Sequence, residues 1–261
     1  MTDRIFVTDE ELARTFDGGA YEDAFEAVEQ YRKATRYASK HNVKSGATAS
    51  ALDLPRGRLR TWIDDGGAPD AVNAIETARS KGWLNLEYDD RRFDALNALV
   101  ANVFSGGSIE KKYYQPSFAL NRRGQDSHVI DALELTGVDY RIVDNRSGRA
   151  DEVRPTEHGT VLGRVLVTLG APTGSKTEGE LELPAYLDGA PDDIRRLFVA
   201  CYLENRAHAH GSILKFREER SSAYLQDLAA LIEDVAGGPV TVSEKNINIS
   251  KAATETLGNV V

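Results

Sequence analysis

The chain has 261 residues, 41% of them hydrophobic, with eight prolines, one cysteine and a formal net charge of −9. That length predicts more than one core in a globular protein. A single cysteine excludes an internal disulfide and a thiolate zinc site; with no run of the roughly 20 apolar residues a membrane helix needs and no signal-peptide apolar core after Met1, a cytoplasmic protein with no membrane partner is expected.

Residues 1–20 are acidic and end in Asp17-Gly18-Gly19, which predicts a short arm. Helical spacing then runs from Tyr21 to His41, with Phe25, Val28, Tyr31, Ala34 and Ala38 at intervals of three and four. A second short helix fits Gly46 to Leu52. Leu54-Pro55 starts a third, since proline is tolerated in a first helical turn, and Asp64-Asp65-Gly66-Gly67 stops it. A further helix is predicted over Asp70 to Lys81. The charge of this region is opposite to that of the chain. From Arg32 to Trp62 there are eight basic residues and one acid, a local +7 that leaves −16 for the rest.

Three short helices with a tight break before the last resemble a helix-turn-helix, carried by Ala47-Thr-Ala-Ser-Ala-Leu-Asp-Leu-Pro-Arg-Gly-Arg-Leu-Arg-Thr-Trp-Ile63. Ala47 and Ala51 are expected between the two helices, and Leu54, Leu59 and Trp62 on the buried side. Lys44, Arg56, Arg58, Arg60 and Thr61 are left to face double-stranded DNA, where arginine's fork suits guanine edges or phosphate. Arg also outnumbers Lys, 22 to 10, and such an acidic, lysine-poor composition resembles proteins of salt-loving archaea.

Beyond Tyr88 the order helix, two strands, helix, strand is predicted twice, about 100 residues apart, which indicates an internal duplication. The first copy takes Arg91–Phe104, a hairpin over Ser108–Leu120, Asp126–Leu135 and Val138–Asp144. The second takes Pro191–Arg206, Ser212–Arg217, Ser221–Val235, and strands around Val240–Val242 and Asn246–Ile249. Leu99-Val-Ala-Asn-Val-Phe-Ser-Gly-Gly-Ser-Ile109, with Leu169-Gly-Ala-Pro-Thr-Gly-Ser-Lys176, Leu183-Pro-Ala-Tyr-Leu187 and Ile194-Arg-Arg-Leu-Phe-Val199, resembles the LAGLIDADG homing endonucleases over residues 90 to 250. The expected class is therefore α+β: an arm (1–20), a helix-turn-helix domain (21–86), and a duplicated domain (88–261, repeats about 88–170 and 184–261) whose two antiparallel sheets form a DNA-binding saddle.

The resemblance implies that the two motif helices pack together through small residues such as Ala98, Ala101, Ala200 and Cys201. It implies DNA contacts from Lys111 or Lys112, Arg122, Arg123, Arg141, Lys215, Arg217 and Lys245. It also implies that cleavage would need an acid at the foot of each motif helix to hold magnesium beside the scissile phosphates. The first such position is Gly106, which has no side chain, and Glu110 lies past it in the strand. The second holds Arg206 or His210 in two alignments, and only a shifted one puts Glu204 there. His208 and His210 could serve only a softer metal. The expected protein is a regulator that binds double-stranded DNA without a cofactor, as a monomer with internal pseudo-symmetry or as a homodimer. The alternatives are an active magnesium-dependent endonuclease using Glu204, and an RNA-binding splicing helper.

Overall fold

The computed structural model describes residues 4–121, 124–144, 151–177 and 180–258. The N-terminal helices are α1 (Asp9–Ala13), α2 (Ala24–His41), α3 (Ser45–Leu52), α4 (Arg56–Ile63) and α5 (Asp70–Lys81). The first repeat contains α6 (Arg91–Ser105), β1 (Ser108–Ile109), β2 (Pro116–Ala119), α7 (His128–Thr136), β3 (Tyr140–Val143), β4 (Glu152–Pro155) and α8 (Gly159–Thr168). The second contains α9 (Asp192–Arg206), β5 (His208–His210), β6 (Ile213–Arg217), α10 (Ser222–Ala236), β7 (Val240–Ser243), β8 (Asn246–Ile249) and α11 (Lys251–Leu257).

The α+β architecture is the expected one: each repeat builds a four-stranded antiparallel sheet, in the orders β1-β2-β4-β3 and β5-β6-β8-β7. Each repeat is longer than its sequence pattern indicates, adding a closing helix, α8 or α11, and one strand, β4 in the first repeat and β5 in the second. α6 and α9 lie side by side. Ala98, Ala101 and Cys201 are buried there, and burial pushes the Cys201 thiol pKa up.

The inter-repeat segment explains its own sequence signature, because it grips α6 at its middle and at its C-terminal end. Tyr186 donates to Asn97 Oδ1 at 2.6 Å, while Asn97 Nδ2 donates to the Ile194 carbonyl of α9 at 2.9 Å. At the C-terminal end the Lys176 ammonium donates to the carbonyls of Val103 (2.6 Å) and Gly107 (2.8 Å). Those carbonyls have no partner within the helix, and a cation there also complements the helix dipole.

Residues 1–20 are not a free arm. Phe6 and Leu86 exchange backbone hydrogen bonds of 2.8 and 3.0 Å, and Phe6, Val7, Leu12 and Ala13 belong to the main core. Asp9 accepts from Arg32 (2.5 Å) and Arg79 (2.8 Å). Arg164 of α8 stacks between Phe16 (3.6 Å) and Tyr114 (3.9 Å). Charged residues hid this segment's few apolar ones, which are spaced too irregularly to read as an element. α5 also joins the main core through Ala71, Val72, Ile75 and Ala78, and Trp83 donates to the Thr136 carbonyl at 3.0 Å. The remaining helices α2, α3 and α4 share a small second core of Ala34, Ala49 and Leu59.

Candidate nucleic-acid interface

In the N-terminal unit, α3 and α4 are joined by Asp53-Leu54-Pro55, with Asp53 in the left-handed region at φ 52°. Leu59 is fully buried, with Leu54 and Trp62 packed against its cluster. The residues between the helices are Thr48 and Ala49, however, whereas Ala47 and Ala51 are exposed. Asp64, just beyond α4, accepts from the Ser45 hydroxyl (2.5 Å) and amide (3.2 Å), so the end of α4 fixes the start of α3. These bonds hold the Asp64 pKa below the usual carboxylate range.

Lys44, Arg56, Arg60 and Thr61 are exposed as expected. Arg58 is not. Its guanidinium bonds the Tyr21 hydroxyl and Gln30 Oε1 (3.3 Å) and lies 4.6 Å from the Tyr21 ring centre. Helical periodicity alone places Arg58 outside, but Tyr21, which precedes α2, supplies a partner that pulls it back.

In the repeats, helices cover one face of each sheet and leave the other open. On the second sheet the buried face carries Leu214, Phe216, Ile247 and Ile249. Apart from Ile213 beside His210, the opposite face is polar, and the register sorts it into rows. His208 pairs with Lys215, Lys215 with Asn248, and Asn248 with Thr241, one residue from each strand. A second row runs Arg217, Asn246, Ser243. At about 4.8 Å between strands a four-residue row spans roughly 14 Å, comparable with a B-DNA major groove of about 12 Å. Asn248, Asn246, Thr241 and Ser243 were not anticipated as site residues. The signal for the two asparagines is the strict alternation Asn246-Ile-Asn-Ile249; Asn246 Nδ2 also donates to the Ser243 carbonyl across the turn at 3.5 Å.

The first sheet's open face is poorer in donors. Ser108 pairs with Ser117 and Arg154 with Arg141, while Glu152 accepts from Ser117 (2.8 Å) and Arg154 (2.8 Å). Arg141 is exposed there. Lys111 and Lys112 sit in the β1–β2 turn of the expected hairpin, not on its strands; the Lys112 ammonium lies 4.8 Å from the Tyr113 ring centre. Arg122 and Arg123 lie outside the described residues. Lys245 occupies the β7–β8 turn, where it and Arg217 (2.9 Å) are both held by Glu219. Those two cations keep the Glu219 pKa below its ordinary value.

α6 and α9 are capped by Gly106 and Ala207, with Glu204 in the last turn of α9. The Gly106 amide donates to the Asn102 carbonyl at 2.8 Å, and the Ala207 amide to Leu203 at 2.7 Å, each directly after its helix. This shared cap makes Ala207 the partner of Gly106, in place of Arg206, His210 or Glu204. The three sequence alignments missed it because the second repeat lacks the Gly-Gly that marks the first. A Cβ at Gly106 would lie 2.7 Å from the Ala119 methyl. Gly106→Asp is therefore expected to cost about 1–3 kcal/mol by overcrowding and to yield no magnesium-dependent cleavage; denaturant unfolding and a plasmid-nicking assay check both halves.

Glu204 points instead to the first repeat, accepting from His128 Nδ1 at 2.7 Å and Asn121 Nδ2 at 3.1 Å. Glu110 is exposed at the start of the β1–β2 turn. Among the described residues no group of three His, Cys, Asp or Glu side chains is placed to hold a metal ion, and His208 and His210 have no third ligand. No helix of the described residues is long and apolar enough to cross a membrane.

No family model matches the chain. It is 25% identical over 186 residues to a tRNA-splicing ligase RtcB of Pyrococcus abyssi, a match covering 60% of this chain and 19% of that protein. The chain thus spans about a fifth of the curated relative. Among solved structures, full-length DUF199/WhiA from Thermatoga maritima superposes with a TM-score of 0.45 at 9% identity, covering 68% of this chain and 59% of that one. The N-terminal LAGLIDADG domain of DUF199/WhiA gives 0.43 at 9% identity, covering 68% and 89%.

Proposed function

We propose that this protein binds double-stranded DNA sequence-specifically, as a transcriptional regulator that does not cut its target. The observation that carries this reading is the open face of the second sheet, where His208, Lys215, Asn248 and Thr241 form a row of groove width. Asparagine can pair bidentately with adenine and lysine with guanine, so such a row reads base edges rather than charge alone. α3 and α4 act as a helix-turn-helix, with Arg56, Arg60 and Thr61 toward the major groove and Lys44 on phosphate. Arg58 holds α4 against Tyr21 and reads no base.

The two repeats form a LAGLIDADG-like saddle whose nuclease function is lost, since Gly106 and Ala207 cannot ligate a metal. Glu204 is a positioning residue for His128, and no cofactor is needed. The repeats supply their own pseudo-dimer, so the chain acts as a monomer, or as a homodimer if two copies of α4 read a palindrome. The ligase likeness covers too little of that protein to bring its activity here. Selection from a genomic fragment library at fixed salt tests the reading: a recovered consensus, retained uncut with magnesium present, is the expected result. Retention without sequence preference would refute it.

A further inference from the structure

The cations of this chain are unevenly neutralised. Arg14, Arg32, Arg79, Arg154, Arg195, Arg206, Arg217 and Lys245 are each ion-paired. Lys33, Arg36 and Lys40 of α2, and Lys44 just beyond it, are exposed, and among the described residues none of them has an ion-pair partner. In a chain of net charge −9 with only ten lysines, three of them fall within these twelve residues.

These four residues recur about once per helical turn, so the first three form one stripe along α2, which Lys44 continues toward α3. The stripe borders an open groove of about 440 Å³ whose apolar surface comes from Phe25, Tyr37 and Leu52, with Glu29 as its one acid. Along α2 the first three span two turns, roughly 10.5 Å, and Lys44 lengthens the stripe past the helix end at His41; that is too long for a single small anion and matches successive phosphates of one strand. The apolar surface suits the edges of the intervening sugars. The stripe also ends at Lys44, beside the helix pair already assigned to DNA, which favours nucleic acid over an acidic polypeptide.

We infer that the outer face of α2 is a second, sequence-independent contact for the DNA backbone, so that duplex engaged by α4 continues along Lys33, Arg36 and Lys40. This rests on the DNA-binding reading. It makes α2 a source of non-specific affinity and α4 with the second sheet the sources of specificity.

The test is a salt titration of full-length protein on a random-sequence duplex and on a selected site, comparing wild type with K33Q/R36Q/K40Q. These side chains are exposed, and circular dichroism checks that the fold is unchanged. The expected result is a fall in the slope of log K against log salt of about 0.9 per lost phosphate contact, roughly 2.7 in all, equal on both duplexes, with their affinity ratio preserved. An unchanged slope, while wild type still binds, overturns the α2 assignment alone. If wild-type protein binds neither duplex, the DNA-binding reading falls and takes this inference with it.

Discussion

Lys176→Met is expected to destabilise the protein by roughly 2–4 kcal/mol, read by denaturant unfolding, because buried hydrogen bonds to a charged donor are worth about 1.5–3 kcal/mol and their loss leaves acceptors bare. The methylenes and the packing volume remain, so the loss isolates the ammonium. Without it the carbonyls of Val103 and Gly107 stay buried at the foot of α6 with no donor. The pH dependence gives an independent signature. Burial, with Arg220 and Arg206 nearby, lowers the Lys176 pKa to about 8 from its ordinary 10.5. Between those values the unfolded chain holds more protons than the folded one, so this group's contribution to stability rises with pH across that window and is flat below it. Wild type should gain on Lys176→Met from pH 8 to 10; a constant difference would mean that the ammonium is not desolvated.

The second large effect is on binding. Lys215→Ala with Asn248→Ala removes the two central members of one row on the second sheet, which the register holds opposite each other. At about 1–3 kcal/mol per bidentate base contact, the pair is expected to weaken binding to the selected site by roughly 2–6 kcal/mol. Binding to random duplex should fall far less, collapsing the specificity ratio. Both side chains leave the open face, so unfolding midpoints should stay close to wild type. Equal losses on both duplexes would reduce the sheet to a phosphate contact.

The sequence carried more of the fold than of the site. Strong amphipathic periodicity made α2, α5, α6, α9 and α10 legible, and the Asn246-Ile-Asn-Ile249 alternation made β8 so. β4 and α8 escaped because Glu152-Val-Arg-Pro155 ends in a proline and Gly159–Thr168 contains two glycines, which lower both propensities. Gly163 is there for a tertiary reason: the Tyr114 carbonyl would lie 1.8 Å from a Cβ at that position. Conversely, Lys176 and Tyr186 stood out as a pattern in sequence, but their duty as clamps on α6 depends on contacts 69 to 89 residues away.

Among the site residues, Lys44, Arg56, Arg60 and Thr61 lie where local periodicity puts them. Arg58 and Lys245 have partners, Tyr21 and Glu219, 37 and 26 residues away that no local rule foretells, whereas Arg217 pairs with Glu219 only two residues on. The expected loss of an acid at Gly106 is sharper with a steric reason behind it, and Ala207 rather than any polar residue is its counterpart.

Metal dependence of binding tests the account most directly. The affinity of full-length protein for its selected duplex should be the same in EDTA as in millimolar magnesium or manganese, and the duplex should remain intact after prolonged incubation. Metal-dependent double-strand breaks, or affinity that appears only when divalent metal is added, would contradict it.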